Sequence, residues 1–227
     1  MPPCAPAAGA TSRWRTPEDG RGANGAGVAG AGGLIGPNAI LQLIPPVERA
    51  LGPAGLAQLV AEAGLGALPD GRAMIPEGQA AALHRALRRL HPDLAPQLAA
   101  EAGARTAAYL LANRIPRAVQ VVLRLLPAAR AGRILAGAIA RNAWTFAGSG
   151  RFRVVAPGLF EIEANPLIAG ERSALPLCRW HAAVFETLHV ALVAPDMRCI
   201  ETRCGAQPGG GACRFALIRQ GAATPPG

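Results

Sequence analysis

The sequence predicts an α+β fold in which an N-terminal helical bundle packs on an antiparallel β-sheet. From Ala39 to Phe146 apolar residues recur at helical spacing, whereas after Gly148 the pattern changes to the alternation and β-forming residues of strands. One further helical segment, 179–194, interrupts the strands. Helices followed by a run of strands are typical of α+β domains, because each layer must cover the apolar face of the other.

The two ends of the chain differ in composition from the region between them. Residues 1–33 are rich in glycine, alanine and proline without apolar periodicity, so we expect a disordered tail there and a short second tail at 220–227. A single domain is expected at 34–219, which is long enough for one buried core. The glycine-rich stretch at 25–36 is not interpreted as a dinucleotide-binding loop, because no predicted strand precedes it.

The predicted elements follow from local patterns. The segment GQAAALHRALRRL places Leu83, Leu87 and Leu90 on one helical face and its arginines largely on the other. Four strands are predicted at 151–156, 159–164, 197–204 and 212–219. We expect these strands to form an antiparallel meander, with Glu161 and Glu163 on its solvent face.

Composition excludes several classes of protein. No apolar run reaches the roughly 18 residues that a transmembrane helix needs. The N-terminus has neither an apolar core nor a cleavage pattern of a signal peptide, so we expect a cytoplasmic and reducing location.

The formal net charge of +9 comes from arginine alone, since the chain contains no lysine. The arginines are scattered singly along the predicted helices and form no basic arm, so nucleic-acid binding is not expected. A modest attraction to anionic membrane surfaces stays open as an interpretation of this charge.

Four residues near the C-terminus have the chemistry of a structural zinc site: Cys178, Glu201, Cys204 and Cys213. Three thiolates and one carboxylate complete a tetrahedral shell, and thiolates favour zinc. Cys204 and Cys213 flank the loop GAQPGGGA, whose glycines allow its ends to approach each other. Glu201 precedes Cys204 on the same predicted strand, and Cys178 must arrive from a separate element.

Two other interpretations of these cysteines stay open. Intracellular cysteines are often small buried hydrophobic residues, and Cys199 shares a strand face with Glu201 as a competitor or bystander for the metal. A disulfide between Cys204 and Cys213 requires an oxidising compartment, which the N-terminus does not indicate. Cys4 lies in the predicted tail.

The pattern Cys178, Glu201-x-x-Cys204 and Cys213 before an Arg-Phe pair resembles the metal-binding signature of the vinyl-4-reductase domain. Stretches at 35–45, 105–120, 142–152 and 178–193 resemble the bacteriochlorophyll-biosynthesis members of this family, historically named 4-vinyl reductases. The resemblance spans 34–219. In one departure, the triple glycine makes the loop between the last two cysteines longer than the family leads us to expect.

The resemblance implies the ligand-binding fold of NO-signalling and Golgi-transport proteins and a function in converting divinyl to monovinyl chlorophyllide-type intermediates. A tetrapyrrole is a flat, largely apolar ring whose central magnesium accepts one axial donor, which a neutral imidazole provides. We therefore expect a tetrapyrrole to contact His181, Trp180, Phe185, Trp144 and Tyr109.

An ordinary apolar core explains these same residues equally well. Apolar side chains follow His181 at helical spacing on the segment 179–194, and such a stripe usually faces a core. His189 is the second candidate for the axial ligand, whereas His84 and His91 are expected at the surface.

The sequence contains no recognisable catalytic arrangement and no nicotinamide, flavin or iron–sulfur motif. We therefore favour a protein that binds or delivers the tetrapyrrole, with other bacteriochlorophyll-biosynthesis enzymes as candidate partners. One alternative is a true vinyl reductase that uses an external reductant. A second is a small-molecule sensor domain.

A homodimer is expected from the segment AGRILAGAIARNAW, because small residues at close spacing let two helices approach each other. Ala138 lies within this segment. The same small residues would also allow the helix to pack against its own sheet.

Overall fold

The computed structural model describes residues 32–220. The predicted tails therefore lie outside the described residues, apart from positions 32, 33 and 220. The helices are α1 (Asn38–Leu41), α2 (Ile44–Glu62), α3 (Glu77–Leu90), α4 (Ala95–Asn113), α5 (Arg117–Leu125), α6 (Ala128–Arg141), α7 (Trp144–Ala147) and α8 (Arg179–Leu192), with a 3-10 turn at Pro166–Ile168. The strands are β1 (Leu34–Ile35), β2 (Ile75–Pro76), β3 (Arg151–Ala156), β4 (Leu159–Glu163), β5 (Met197–Arg203) and β6 (Cys213–Arg219).

Helices α1 to α7 precede a four-stranded antiparallel sheet, which confirms the predicted α+β class. The strand order is β3-β4-β6-β5, so the predicted meander is wrong in its order. The cause is α8, which connects β4 to β5 and lets β5 join the far edge as a hairpin with β6. Within residues 32–220, no helix combines the length and apolar character needed to span a membrane.

Helix α8 lies at the centre of the fold, in contact with α4 on one side and with β5 and β6 on the other. Its sequence is apolar around most of its circumference, as expected for a helix covered on both sides. Gly103 of α4 allows the close approach of the two helices. A Cβ atom at this position would lie 2.3 Å from the Trp180 carbonyl oxygen and 2.8 Å from the Ala183 Cβ.

Glu77, the first residue of α3, joins two distant segments of the chain. Its buried carboxylate accepts hydrogen bonds from the Gly33 N–H (3.0 Å) and from both the N–H and the hydroxyl of Ser149 (2.7 Å each). The segment before β1 is thereby attached to the turn that precedes β3. Three donors satisfy this buried carboxylate, and their hydrogen bonds offset the cost of removing its oxygens from water.

Two predictions of solvent exposure are wrong. His84 is buried in the core, where its Nε2 hydrogen-bonds to the Ala39 carbonyl at 2.9 Å, and burial lowers its pKa to about 3. Glu161 is also buried, because it lies directly across from Arg153 on β3 and Arg214 on β6. Both arginines form ion pairs with it, at 2.9 and 2.5 Å, and cover its carboxylate.

Replacing a helical glycine by alanine should have opposite effects inside and outside the contact between α4 and α8. Gly103→Ala should lower the free energy of unfolding by about 1–3 kcal/mol, because the new methyl group overlaps the Trp180 carbonyl. Gly137→Ala in α6, where a Cβ meets only Arg141 Nη1 at 3.6 Å, should raise stability by about 0.5–1 kcal/mol through helix propensity. Urea unfolding measures both, and equal effects would contradict the packing described here.

Candidate metal centre

The four predicted ligand residues come together in the fold. One ligand atom from each of Cys178, Glu201, Cys204 and Cys213 lies within 4.8 Å of the others, and all four side chains are buried. Three separate segments supply them: Cys178 immediately precedes α8, Glu201 and Cys204 lie at the end of β5, and Cys213 begins β6. The cluster therefore connects α8 to the hairpin of β5 and β6.

A β-bulge explains how one strand supplies two of these residues. Residues three apart on a regular strand point to opposite faces. Between β5 and β6 the register shifts, with Glu201 across from Phe215 and Arg203 across from Arg214. The extra residue turns the end of β5, which brings Cys204 to the same side as Glu201.

The glycine-rich loop places Cys213 in the cluster despite its length. Gly209, Gly210 and Gly211 all have positive φ angles, of 88°, 53° and 95°, a conformation that costs other residues strain. Arg203 Nη2 donates hydrogen bonds to the carbonyl oxygens of Gly209 (3.3 Å) and Gly210 (2.7 Å) and so holds the loop. The triple glycine thus makes the return to β6 possible.

Hydrogen-bond donors surround the three sulfur atoms. The Leu177 N–H donates to Cys204 Sγ at 3.4 Å, and the Gly205 N–H donates to Cys213 Sγ at 3.3 Å. Donors directed at sulfur stabilise the thiolate form, as is usual around cysteine ligands of metals.

Asn165, which was not predicted as a site residue, also contacts the cluster. Its Nδ2 donates to Cys178 Sγ at 3.3 Å, while its Oδ1 accepts from the Leu167 N–H at 3.1 Å at the start of the 3-10 turn. Both ends of the buried amide are therefore occupied, which fixes its orientation toward the sulfur. The only sequence signal was an asparagine before proline at the end of a strand, a pattern that turns also produce.

In the absence of a cation, the cluster resists full ionisation. Hydrogen bonds from Cys178 and Cys204 lower the pKa of Cys213 to about 4, whereas hydrogen bonding to Cys204 and Cys213 raises the pKa of Cys178 well above its ordinary value. Burial raises the pKa of Glu201 to about 8. A bound cation favours the charged form of every group at once, so the cluster has the electrostatics of a cation site.

The geometry fits a tetrahedral zinc ion. Zinc–sulfur bonds of about 2.3 Å at tetrahedral angles place neighbouring sulfurs about 3.8 Å apart. Here Cys178 Sγ lies 3.4 Å from Cys213 Sγ and 3.9 Å from Cys204 Sγ. Glu201 Oε2 accepts from the Cys178 N–H at 2.8 Å, while its buried Oε1 has no hydrogen-bond partner among the described residues and is free to bind a metal.

Two of the other interpretations, a disulfide and a place for Cys199 among the ligands, do not describe this site. All four described cysteines are free, so Cys204 and Cys213 form no disulfide. Cys199 is buried on β5 but lies outside the cluster, and its N–H donates to Glu186 at 2.8 Å. Burial raises the pKa of its thiol, which makes Cys199 a packing residue in this fold.

Three of the residues predicted to contact a tetrapyrrole lie in an aromatic core. Trp180, His181 and Phe185 are all buried on α8. The His181 ring centroid lies 4.9 to 6.4 Å from those of Phe146, Trp180, Phe185 and Phe215. His181 Nε2 hydrogen-bonds to the Phe146 carbonyl at 3.2 Å, and burial lowers its pKa to about 4. His189 is likewise buried and bonds to the Phe185 carbonyl through Nδ1 at 2.7 Å.

The other two predicted residues lie apart from this group. Trp144 on α7 is exposed, and Tyr109 on α4 is half-buried with the Arg114 guanidinium 6.0 Å from its ring centre. Neither ring is among the described ring contacts of His181. The structure therefore brings together only the three α8 residues of the predicted set.

A cleft of about 470 Å³ lies beside the metal centre, between α3, the start of α4 and the segment 171–179. The apolar part of its lining includes Leu87, Ala95, Ala99, Leu175, Pro176 and Leu177. The charged part consists of Arg85, Arg88, Arg89, Arg172 and Arg179, with Glu171 as the single carboxylate among the described lining residues. This cleft left no pattern in the sequence, because its arginines come from two groups, at 85–89 and 172–179, that are far apart along the chain.

Comparisons with known proteins agree with the motifs. Residues 159–219 match the vinyl-4-reductase domain. A bacteriochlorophyll synthase 23 kDa chain from Cereibacter sphaeroides is 53% identical over 189 residues, which are 82% of this chain and 91% of that protein. The protein of the same name from Rhodobacter capsulatus is 44% identical over 192 residues, covering 84% of this chain and 89% of that protein.

Among solved structures, the Fe(II) unliganded form of a mutant H-NOX protein from K. algicida has a similar fold. It superposes with a TM-score of 0.50 at 8% identity and covers 82% of this chain and 96% of that one. Identity this low shows the fold alone. The family is shown by the sequence relatives: this chain belongs to the family of bacteriochlorophyll synthase 23 kDa chains and carries a vinyl-4-reductase domain.

Proposed function

We propose that the protein binds a tetrapyrrole intermediate of bacteriochlorophyll biosynthesis and delivers it to other enzymes of that synthesis in the cytoplasm. The pathway comes from the family, whose relatives are named bacteriochlorophyll synthase chains. The observation that carries the proposal is the cleft beside the metal centre, which combines an apolar lining with a rim of arginines.

The shape and lining of the cleft suit an amphipathic anion. Small-molecule sites in proteins have volumes of roughly 300–1,000 Å³ and are mostly apolar with a few polar groups. Chlorophyllide-type intermediates have a large apolar ring and at least one carboxylate. Leu87, Leu177 and their neighbours can cover part of the ring, while guanidinium groups at the rim hold the carboxylate.

Two arginines of the rim are free to bind such a carboxylate. Arg88 is already paired with Glu171 and also donates to the Leu167 carbonyl at 2.9 Å. Arg172 and Arg179 are exposed and have no hydrogen bond or ion pair with the described residues. Guanidinium groups bind carboxylates through two parallel hydrogen bonds, so these two side chains provide the specificity for an acid.

The metal centre positions one wall of this cleft. Leu177 and Arg179, both in the lining, are the immediate neighbours of Cys178. When bound, a zinc ion would be held by Cys178, Glu201, Cys204 and Cys213 and would supply a structural crosslink. The segment 171–179 is then fixed at one end by the metal and at the other by the ion pair of Arg88 with Glu171.

His181 is a second group that could take part in binding. Burial keeps its ring neutral by lowering its pKa to about 4, and its Nδ1 has no hydrogen-bond partner among the described residues. A neutral imidazole of this kind can serve as an axial ligand. Since the ring lies within the aromatic core, axial ligation of a magnesium tetrapyrrole requires this core to open. Binding in the cleft requires no such rearrangement.

The reductase alternative makes a different demand on the protein. Reducing a vinyl group adds two electrons and two protons to a carbon–carbon double bond, so the enzyme must receive them from a donor. A carrier needs only a site that takes up the ring and releases it unchanged. The two functions can be distinguished by absorption. Binding alone changes the spectrum of the pigment without NADPH, whereas reduction causes a further change only when NADPH is added.

If the ligand binds in the cleft, tight binding should require its carboxylate. Arg172→Gln combined with Arg179→Gln should weaken binding of magnesium protoporphyrin by about tenfold or more, because charge-assisted hydrogen bonds are lost. The double variant should bind the dimethyl ester of the same porphyrin about as well as the wild type does. Absorption titration without NADPH measures each affinity, and a further spectral change on adding NADPH would favour the reductase.

Arg49→Gln combined with Arg72→Gln removes the same charge at exposed positions outside the cleft and serves as the control. It should leave porphyrin binding unchanged. If both double variants weaken binding equally, the attraction is a general effect of positive charge and the cleft is not the site.

The alternative position of the ligand is tested at His181. If its imidazole coordinates magnesium, His181→Ala should weaken binding of magnesium protoporphyrin more than that of metal-free protoporphyrin, since only the former has a vacant coordination position. Binding in the cleft predicts an equal and small change for both ligands. Paired absorption titrations of the two porphyrins distinguish these outcomes.

If the cluster binds zinc, replacing Cys204, which directly follows β5, should have a different effect from replacing Cys199 within β5. Cys204→Ser should lose zinc and lower the Tm by about 5–10 °C, because a closed site that loses one thiolate forfeits much of its binding free energy. Cys199→Ser, a matched change outside the cluster, should keep the zinc content of the wild type. Elemental analysis with thermal unfolding checks both, and a wild-type protein purified without zinc would contradict the site.

A further inference from the structure

Helices α5 and α6 expose a row of large aliphatic side chains: Val119, Val121, Val122, Leu125 and Ile134. Leu125 is 81% exposed and Val122 is 55% exposed. At 3.6 residues per turn, the four residues of α5 fall on one side of that helix. Val119, Val122 and Ile134 line the same shallow apolar depression of about 230 Å³, so the exposed surface is continuous between the two helices.

The orientation of α5 is fixed by contacts on its other side. Gln120 is buried, and its Nε2 donates to the carbonyl oxygens of Leu111 (2.6 Å) and Ile115 (2.9 Å). Arg124 Nε donates to the carbonyl oxygen of Ala191 at the end of α8 (3.0 Å). The aliphatic residues are therefore held outward by the fold, and a solvent-exposed position costs free energy for each of them.

The charge around this surface has one sign. Between Glu101 and Glu161 the chain contains no acidic residue but nine arginines. On α6, Arg130, Arg133 and Arg141 fall on the same side as Ile134. These three arginines and Arg117 at the start of α5 have no acidic partner among the described residues.

We propose that this surface, the α5–α6 face, docks the protein on an anionic lipid bilayer. Interfacial amphipathic helices place aliphatic side chains at the boundary of the acyl chains and basic side chains among the headgroups, as this face would. Anionic lipids supply the counter-charge that the chain itself lacks here. The inference is independent of the proposed cleft, which lies between other elements.

A second copy of the chain fits this face less well than a bilayer does. In a two-fold dimer the same patch meets itself, so the arginines of α6 would face each other without an acidic residue between them. Like charges that are brought together during desolvation oppose association. The dimer predicted around Ala138 would bury this same side of the molecule and is therefore the competing outcome.

Flotation of the purified full-length protein with lipid vesicles tests the proposal. Vesicles of phosphatidylcholine mixed with phosphatidylglycerol should carry the protein upward, whereas vesicles of phosphatidylcholine alone should carry much less. Added salt should weaken the binding, because it screens the arginines. Arg130→Gln with Arg133→Gln should lower the partition coefficient about tenfold or more, and Val122→Ser with Leu125→Ser should lower it comparably by removing inserted apolar groups.

Matched controls keep the test specific. Arg49→Gln with Arg72→Gln changes the net charge as much as the α6 double variant does, but at positions outside the face. Leu68→Ser removes an exposed leucine outside the face. Both controls should bind vesicles as the wild type does. Equal binding to neutral and anionic vesicles, or controls as weak as the face variants, would overturn the proposal. Sedimentation that shows a wild-type dimer, split by Val122→Ser with Leu125→Ser, would also overturn it in favour of self-association.

Discussion

The cluster of three sulfurs and one carboxylate lies where α8 meets β5 and β6, and it constrains how these elements pack. It gathers the start of α8, the end of β5 and the start of β6 into a buried volume in which the ligand atoms lie within 4.8 Å of one another. Groups that ionise so close together repel each other unless a cation compensates them. A metal bound here would therefore stabilise the closed arrangement of the β5–β6 hairpin against α8.

In the function that we propose, the same crosslink would connect the metal centre to ligand binding. Because Cys178 immediately precedes α8, a bound metal would fix the start of the helix that packs between α4 and the sheet. It would also fix the neighbouring residues Leu177 and Arg179 at the wall of the cleft. A binding site built on fixed elements loses less entropy when its ligand arrives. The α5–α6 face lies on elements distinct from those of the cleft, so a protein docked on lipid could still exchange a pigment through the cleft.

Much of the fold could be predicted, because its signals are local. Alternation identified the four strands of the larger sheet but not the short strands β1 and β2. The spacing of Cys178, Glu201, Cys204 and Cys213 identified the residues of the cluster. The strand order could not be predicted, since it depends on how α8 crosses the sheet. His84 and Glu161 were misplaced because their burial depends on partners far away in the chain, namely the Ala39 carbonyl and arginines on two neighbouring strands. For the same reason the cleft, assembled from three separated segments, left no pattern in the sequence.

The most direct test of the metal centre is X-ray absorption at the zinc edge on freshly purified protein. A zinc ion held by the cluster should be surrounded by three sulfurs at about 2.3 Å and one oxygen at about 2.0–2.2 Å. That result would match the donor set of Cys178, Cys204, Cys213 and Glu201. Protein without zinc, or zinc surrounded only by nitrogen and oxygen, would contradict the account.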